Sequence, residues 1–157
     1  MTKIITHSAE ETTHAGYLLG KRLSQKSTGG SVVCFYGDLA AGKTTFIKGL
    51  VRGATGLAEE NVTSPTFVYL GIYQNSQDKN SLAVFHFDLY RLQNSDEFLS
   101  MGFDEYLSTE HGICCIEWAE RIHDLLPADS IIVRMEHSTE SSRDDERQIT
   151  ILEIPQT

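Results

Sequence analysis

Val32-Val33-Cys34-Phe35-Tyr36 is a continuous apolar run, and it leads directly into Gly37-Asp38-Leu39-Ala40-Ala41-Gly42-Lys43-Thr44. The first five residues have the make-up of a strand buried on both faces of a parallel sheet. The next eight fit G-x-x-x-x-G-K-[ST] in full, and a helical stretch from about Lys43 to Ala54 follows. Strand, glycine-containing loop and helix in this order make a phosphate cradle. Gly37 and Gly42 let the backbone turn so that consecutive amides face an anion, while the helix presents its positive end. In such a cradle Lys43 reaches the β- and γ-phosphates as a point charge, the Thr44 hydroxyl ligates a Mg²⁺ bridging those oxygens, and Thr45 adds a contact to the α-phosphate. Leu39-Ala40-Ala41 is small and apolar, which suits a tight loop.

On the N-terminal side of this unit, Lys3 to Thr6 is a strand candidate, and Ser8 with Glu11 forms a capping box that starts a helix running to about Ser24. Ala15, Leu18, Leu19 and Leu23 recur at helical spacing and predict the face that covers a sheet. A polar turn over Ser27 to Ser31 precedes the central strand. On the C-terminal side, Thr66 to Tyr73 and Leu82 to Phe87 are β-rich and separated by a polar stretch, as in a hairpin. Asn94 to Leu107 reads as one or two short helices with Phe98, Leu99, Phe103 and Leu107 turned inward. Ile113 to Ile116 is a second buried strand, and Ala119 to Leu126 a helix stopped by Pro127. Ser130 to Glu136 and Gln148 to Ile154 alternate apolar with polar side chains and predict an antiparallel hairpin joined by a solvated loop, His137 to Arg147. The expected fold is α/β: a three-layer sandwich with a mostly parallel central sheet and an antiparallel C-terminal hairpin, in a single domain over residues 1–157.

The composition suits one ordinary soluble domain: 157 residues, 40% hydrophobic, 22% charged, 12 glycines and 3 prolines. Thirteen basic against 22 acidic residues give a net charge of -9, which argues against gripping a nucleic acid backbone unaided. No DNA-binding role is expected, and any RNA role needs a basic partner. Met1 to Glu11 has neither the basic nor the apolar region of a secretory signal, and no apolar run is long enough to span a membrane, so a cytoplasmic protein is expected. Cys34, Cys114 and Cys115 follow neither a disulfide nor a zinc spacing and read as reduced core residues.

A phosphate loop needs an acidic group to hold the metal or orient water, commonly at the end of a buried strand. Two strands end in one: Val84-Phe85-His86-Phe87-Asp88 and Ile113-Cys114-Cys115-Ile116-Glu117. Each carboxylate could instead be a solvated strand terminus. Thr63-Ser64-Pro65-Thr66 could close on Mg²⁺ and the γ-phosphate as a switch loop, or serve only as a turn. His86 reads as a packing residue, since no second His or Cys stands at ligand spacing. Trp118 is either core or a reporter of nucleotide binding. Arg91 and Arg121 could form surface ion pairs or stabilise phosphoryl charge.

Together, Gly37 to Thr45, Thr63-Ser64-Pro65-Thr66-Phe67, His86-Phe87-Asp88-Leu89-Tyr90-Arg91 and Ile116-Glu117-Trp118-Ala119-Glu120-Arg121 resemble the TsaE (YjeE) family of bacterial P-loop ATPases, with four motifs in order over about Ser8 to Pro127. The resemblance implies a P-loop NTPase fold and a role in the threonylcarbamoyl (t6A) modification of the adenosine beside the anticodon of tRNAs, without being the transferase. It implies an ATP-bound monomer that joins a TsaB–TsaD pair, with hydrolysis resetting the complex and tRNA met only through the partners. It further implies that Lys43, Thr44 and Thr45 bind nucleotide and that Thr44 and Glu117 serve the metal. Asp88 would support hydrolysis, and the Thr63 to Thr66 loop would respond to nucleotide state. Two departures stand out: the family loop more often has glycine where Ala40 stands, and an acidic pair where Gly71-Ile72 appears.

A small-molecule kinase of the shikimate-kinase-like class is the chief alternative, since it shares the loop, the fold type and the length. Its arginine-bearing lid would have to be the segment with Arg143 and Arg147, poorly placed between antiparallel strands. A GTP switch is disfavoured because no N-K-x-D motif occurs, which points to ATP. No internal arginine finger is evident beyond Arg91, so hydrolysis is expected to be slow alone and faster with partners, such a group contributing roughly 10³ to 10⁵ in rate.

Overall fold

The two faces of the central strand decide the architecture. In the computed structural model, which describes residues 1–26, 30–58, 61–62, 68–78, 80, 82–108, 110, 112–138 and 143–154, Ser31–Tyr36 (β2) sends Val33 and Phe35 to one side and Val32 and Cys34 to the other. Both sides are dry, so the strand needs a cover on each face, as its unbroken apolar run requires.

The remaining elements supply that cover. They are β1 (Thr2–Thr6), α1 (Ala9–Ser24), α2 (Lys43–Thr55), β3 (Leu70–Tyr73), β4 (Ala83–Asp88), α3 (Ser95–Ser100), β5 (Gly112–Glu117), β6 (Ile131–His137) and β7 (Arg147–Leu152), with 3₁₀ segments at Phe103–Ser108 and Ala119–Leu125. The seven strands form one sheet in the order β1-β7-β6-β2-β5-β4-β3. β2 is therefore its middle strand, parallel to both β5 and β6, and β4 is parallel to β5. The β1–β7, β6–β7 and β3–β4 pairs are antiparallel. The expected C-terminal hairpin is present, and antiparallel pairing occurs at both edges of a sheet that is parallel in its middle.

α1 and α2 cover one face, where Leu19, Phe46, Ile47 and Leu50 pack on Val33, Phe35, Val133 and Met135. On the other face Phe87, Leu92, Phe98 and Ile122 enclose Cys34, Cys114 and Ile116. Each such large side chain, fully buried, contributes about 1.5–3 kcal/mol of transfer free energy. All three cysteines are free and buried, and burial pushes the Cys34 thiol up to about 11, which keeps it unreactive near neutrality.

α1 differs from its predicted face at one position. Leu18 is 53% exposed, while Gly16 and Gly20 are buried against α2. A Cβ on Gly16 would lie 2.0 Å from the Phe46 carbonyl oxygen, and one on Gly49 would lie 1.8 Å from that of Thr13. The two helices thus meet backbone to backbone. Leu99 also departs from expectation at 42% exposed, whereas Phe98 is fully buried. The segment after Trp118 is 3₁₀ and kinked at Ile122, not the continuous helix expected.

Candidate functional site

Three strands of the parallel half, β2, β5 and β4, end side by side beneath the first turn of α2. The tight approach at Gly37 is obligatory, because a Cβ there would lie 2.4 Å from the Met135 carbonyl oxygen. Gly42 takes φ +96°, the left-handed region open to glycine, and serves as the residue before the helix. α2 begins with no side-chain cap and no acidic residue in its first turn. Its earliest intrahelical bond is Phe46 N–H to the Gly42 carbonyl at 3.0 Å, which leaves the amides of Lys43, Thr44 and Thr45 as first donors without a partner among the described residues. Asp38, Leu39 and Ala40 form the exposed crest of the loop, while Ala41 is buried beneath it.

The pleat carries the acidic groups to this point. On β5, Ile113 and Cys115 face the α1/α2 side, and Glu117 follows two residues on. On β4, Val84 faces the same side, followed by His86 and Asp88. Alternation therefore sets His86, Asp88 and Glu117 on one face. Asp88 stands opposite Glu117 in register, and both are nearly inaccessible, at 6% and 4% exposed. The Thr44 hydroxyl donates to Glu117 Oε1 at 3.1 Å, and His86 Nε2 lies 2.7 Å from Glu117 Oε2. Asp88 Oδ1 accepts from the Tyr90 amide at 3.2 Å, which folds the chain sharply after β4.

Lys43 is 5% exposed. Its ammonium donates to the Gly37 carbonyl and lies 4.1 Å from the centroid of the Trp118 ring, a cation–π contact. Trp118 itself adopts φ +60°, unusual for a non-glycine residue, and its ring packs 5.1 Å from that of Tyr90. Lys43, Thr44, Glu117 and Trp118 thus come together in space. Arg91 is exposed in the turn after Asp88, and Arg121 donates to the Tyr90 carbonyl. Thr63, Ser64 and Thr66, the switch-loop candidates, lie outside the described residues.

Arg147 belongs to the site and has no signal in the local sequence. Placed in the solvated loop by its neighbours, it instead opens β7, and its guanidinium donates to the carbonyls of Ala41 at 3.2 Å and Ala40 at 3.5 Å. The same group also donates to the carbonyls of Asp144 and Glu146. It braces the back of the loop across about a hundred residues of chain. Ala40 sits at φ +63°, a left-handed conformation that glycine adopts more readily than alanine.

The family model described as "Threonylcarbamoyl adenosine biosynthesis protein TsaE" matches residues 6–149. A tRNA threonylcarbamoyladenosine biosynthesis protein TsaE from Treponema pallidum (strain Nichols) is 37% identical over 149 residues, covering 95% of this chain and 98% of the relative. The protein of the same name from Bacillus subtilis (strain 168) is 37% identical over 125 residues, covering 80% and 71%. Among solved structures, the crystal structure of YdiB from Bacillus subtilis superimposes with a TM-score of 0.67 at 28% identity, covering 98% of this chain and 86% of that one. A match across nearly the whole chain, in sequence and in fold, makes this protein a member of the TsaE family of t6A tRNA biosynthesis.

Proposed function

We propose that this chain is a P-loop ATPase that binds Mg–ATP between β2 and α2 and hydrolyses it slowly, in support of the t6A modification of tRNAs. The observation that carries the reading is the bare start of α2: amides without a partner among the described residues, no cap and no carboxylate in the first turn, with a buried lysine at the same point. A helix start left in this state costs stability unless an anion or water takes the donors. A triphosphate supplies the anion.

The donor set suits Mg²⁺. Thr44 Oγ1 and Glu117 Oε1, both hard oxygens, are 3.1 Å apart. Adjacent ligands of an octahedral ion at 2.0–2.1 Å sit about 2.9 Å apart, so the two oxygens need to close by only about 0.2 Å to hold the metal. Two protein oxygens are few, as expected for an ion completed by phosphate and water. When bound, Mg²⁺ would neutralise charge on the β- and γ-phosphates. The backbone from Gly37 to Thr45 would hold the triphosphate, with Lys43 exchanging its bond to the Gly37 carbonyl for the β- and γ-oxygens. Trp118 would lose its cation and report the exchange. Asp88 would orient the attacking water, and the Thr63 to Thr66 loop would respond to the γ-phosphate.

The acidic balance, -9, fits a protein that meets tRNA through partners in the cytoplasm, namely a TsaB–TsaD pair joined in the ATP state and released by hydrolysis. Arg147 is engaged with loop carbonyls, which agrees with slow turnover alone and acceleration by the partners. Capture of the pair by this chain with a non-hydrolysable ATP analogue, and not with ADP, together with faster ATP turnover on adding TsaB and TsaD, is the expected result. Equal capture in both nucleotide states and an unchanged rate would overturn it.

A further inference from the structure

His86 is fully buried on β4. Its Nε2 lies 2.7 Å from Glu117 Oε2, a distance typical of a charge-assisted bond. Its Nδ1 is a buried side-chain nitrogen with no hydrogen-bond partner among the described residues. A buried imidazole held on one side alone needs a reason, since burying polar groups costs free energy that one bond recovers only in part. A carboxylate oxygen accepts, so a bond from the imidazole to Glu117 requires the proton on Nε2.

The reason lies in the other oxygen of the same carboxylate. Glu117 has rotatable bonds enough to turn either oxygen toward Thr44, yet here each oxygen has its own partner: Oε2 has His86, Oε1 has Thr44. With Oε2 pinned from beneath, Oε1 is presented at the mouth of the loop. β-sheet geometry enforces this, because His86 and Glu117 share a face on neighbouring parallel strands, with His86 in register with Cys115, two residues before Glu117. We propose that His86 is a positioning residue for Glu117, locking one carboxylate oxygen through Nε2–H so that the other is presented to Mg²⁺ beside the Thr44 hydroxyl. The inference rests on the magnesium reading above and deepens it. Outer partners of this kind typically contribute 10- to 100-fold to metal affinity.

The test measures binding, not turnover. ATP affinity is titrated calorimetrically with Mg²⁺ and again in EDTA for the wild type, His86→Leu, His86→Gln and Glu117→Ala. The leucine variant should lose about tenfold or more of the gain in affinity that Mg²⁺ confers, with metal-free affinity close to wild type, and glutamine, which keeps an N–H near the same place, should restore most of it. Full retention of the Mg²⁺ gain in His86→Leu, or an equal loss with and without metal, would overturn the positioning role. Glu117→Ala separates the two levels: if it too keeps the full gain, the magnesium reading itself fails. Should the leucine variant not fold, long-range ¹H–¹⁵N spectra of the wild type decide, with the proton expected on Nε2; a proton on Nδ1 alone would overturn the proposal.

Discussion

α1 and α2 lie side by side with their backbones in contact, yet their beginnings are opposites. α1 starts at Ser8, whose hydroxyl accepts from the Glu11 amide at 3.1 Å, and Glu10 and Glu11 place negative charge at its positive end. The Glu11 carboxylate takes one more donor, the His7 amide at 2.7 Å. α2 starts at a left-handed glycine with no cap and no acid. The first helix meets one of its own donors with a side chain and places acidic residues at its start. The second leaves its first donors open, at the one end of the sheet where a buried lysine and two buried carboxylates converge. The open start is the one at which the proposed nucleotide would bind.

The largest effect should come from breaking the contact that sets the two helices together. Gly49→Ala puts a methyl 1.8 Å from the Thr13 carbonyl oxygen, which only separation of the helix backbones can relieve. Urea unfolding should show a loss of about 3 kcal/mol, the upper range for overpacking, and a wild-type midpoint would contradict the close packing. Next in size, Lys43→Ala removes the cation from the open helix start. Calorimetry should give ATP affinity lower by about 2–3 kcal/mol, roughly 30- to 150-fold, and unchanged affinity would refute the cradle.

Ser8→Ala attacks the closed helix start instead. It should cost about 1 kcal/mol of stability and leave ATP affinity untouched, and a joint loss of both would blur the distinction between the two helices. The smallest effect belongs to Ala40→Gly. It frees a residue held at φ +63°, a strain of about 1 kcal/mol, against the greater freedom of glycine in the unfolded chain. Stability within about 1 kcal/mol of wild type, with ATP affinity preserved, is expected; a larger loss would mean the Ala40 methyl makes contacts essential to the loop.

Much of this was legible in the chain because it depends on local order. The apolar run from Val32, the glycines at Gly37 and Gly42, and the cap at Ser8 act within a few residues of themselves, and each stands where expected. The carboxylates at Asp88 and Glu117 were legible as strand ends, and the twofold alternation of strands carries His86 to the same face. The His86–Glu117 bond was missed because it depends on which strands are neighbours, which no local pattern fixes. Arg147 escaped for the same reason: its partners Ala40 and Ala41 are reached only once β7 has paired with β6 and β6 with β2. Leu18 was misplaced because hydrophobic periodicity weighs side chains, and the stripe that seats α1 on α2 is made of residues with none, Gly16 and Gly20 facing Phe46 and Leu50.

The most direct test of the open helix start is a crystal structure with Mg²⁺ and a non-hydrolysable ATP analogue. The expected result is a triphosphate held by the amides from Gly37 to Thr45, Lys43 drawn from the Gly37 carbonyl to the phosphates, and a metal between Thr44 and Glu117. A loop left empty, with nucleotide bound elsewhere on the protein, would contradict the account.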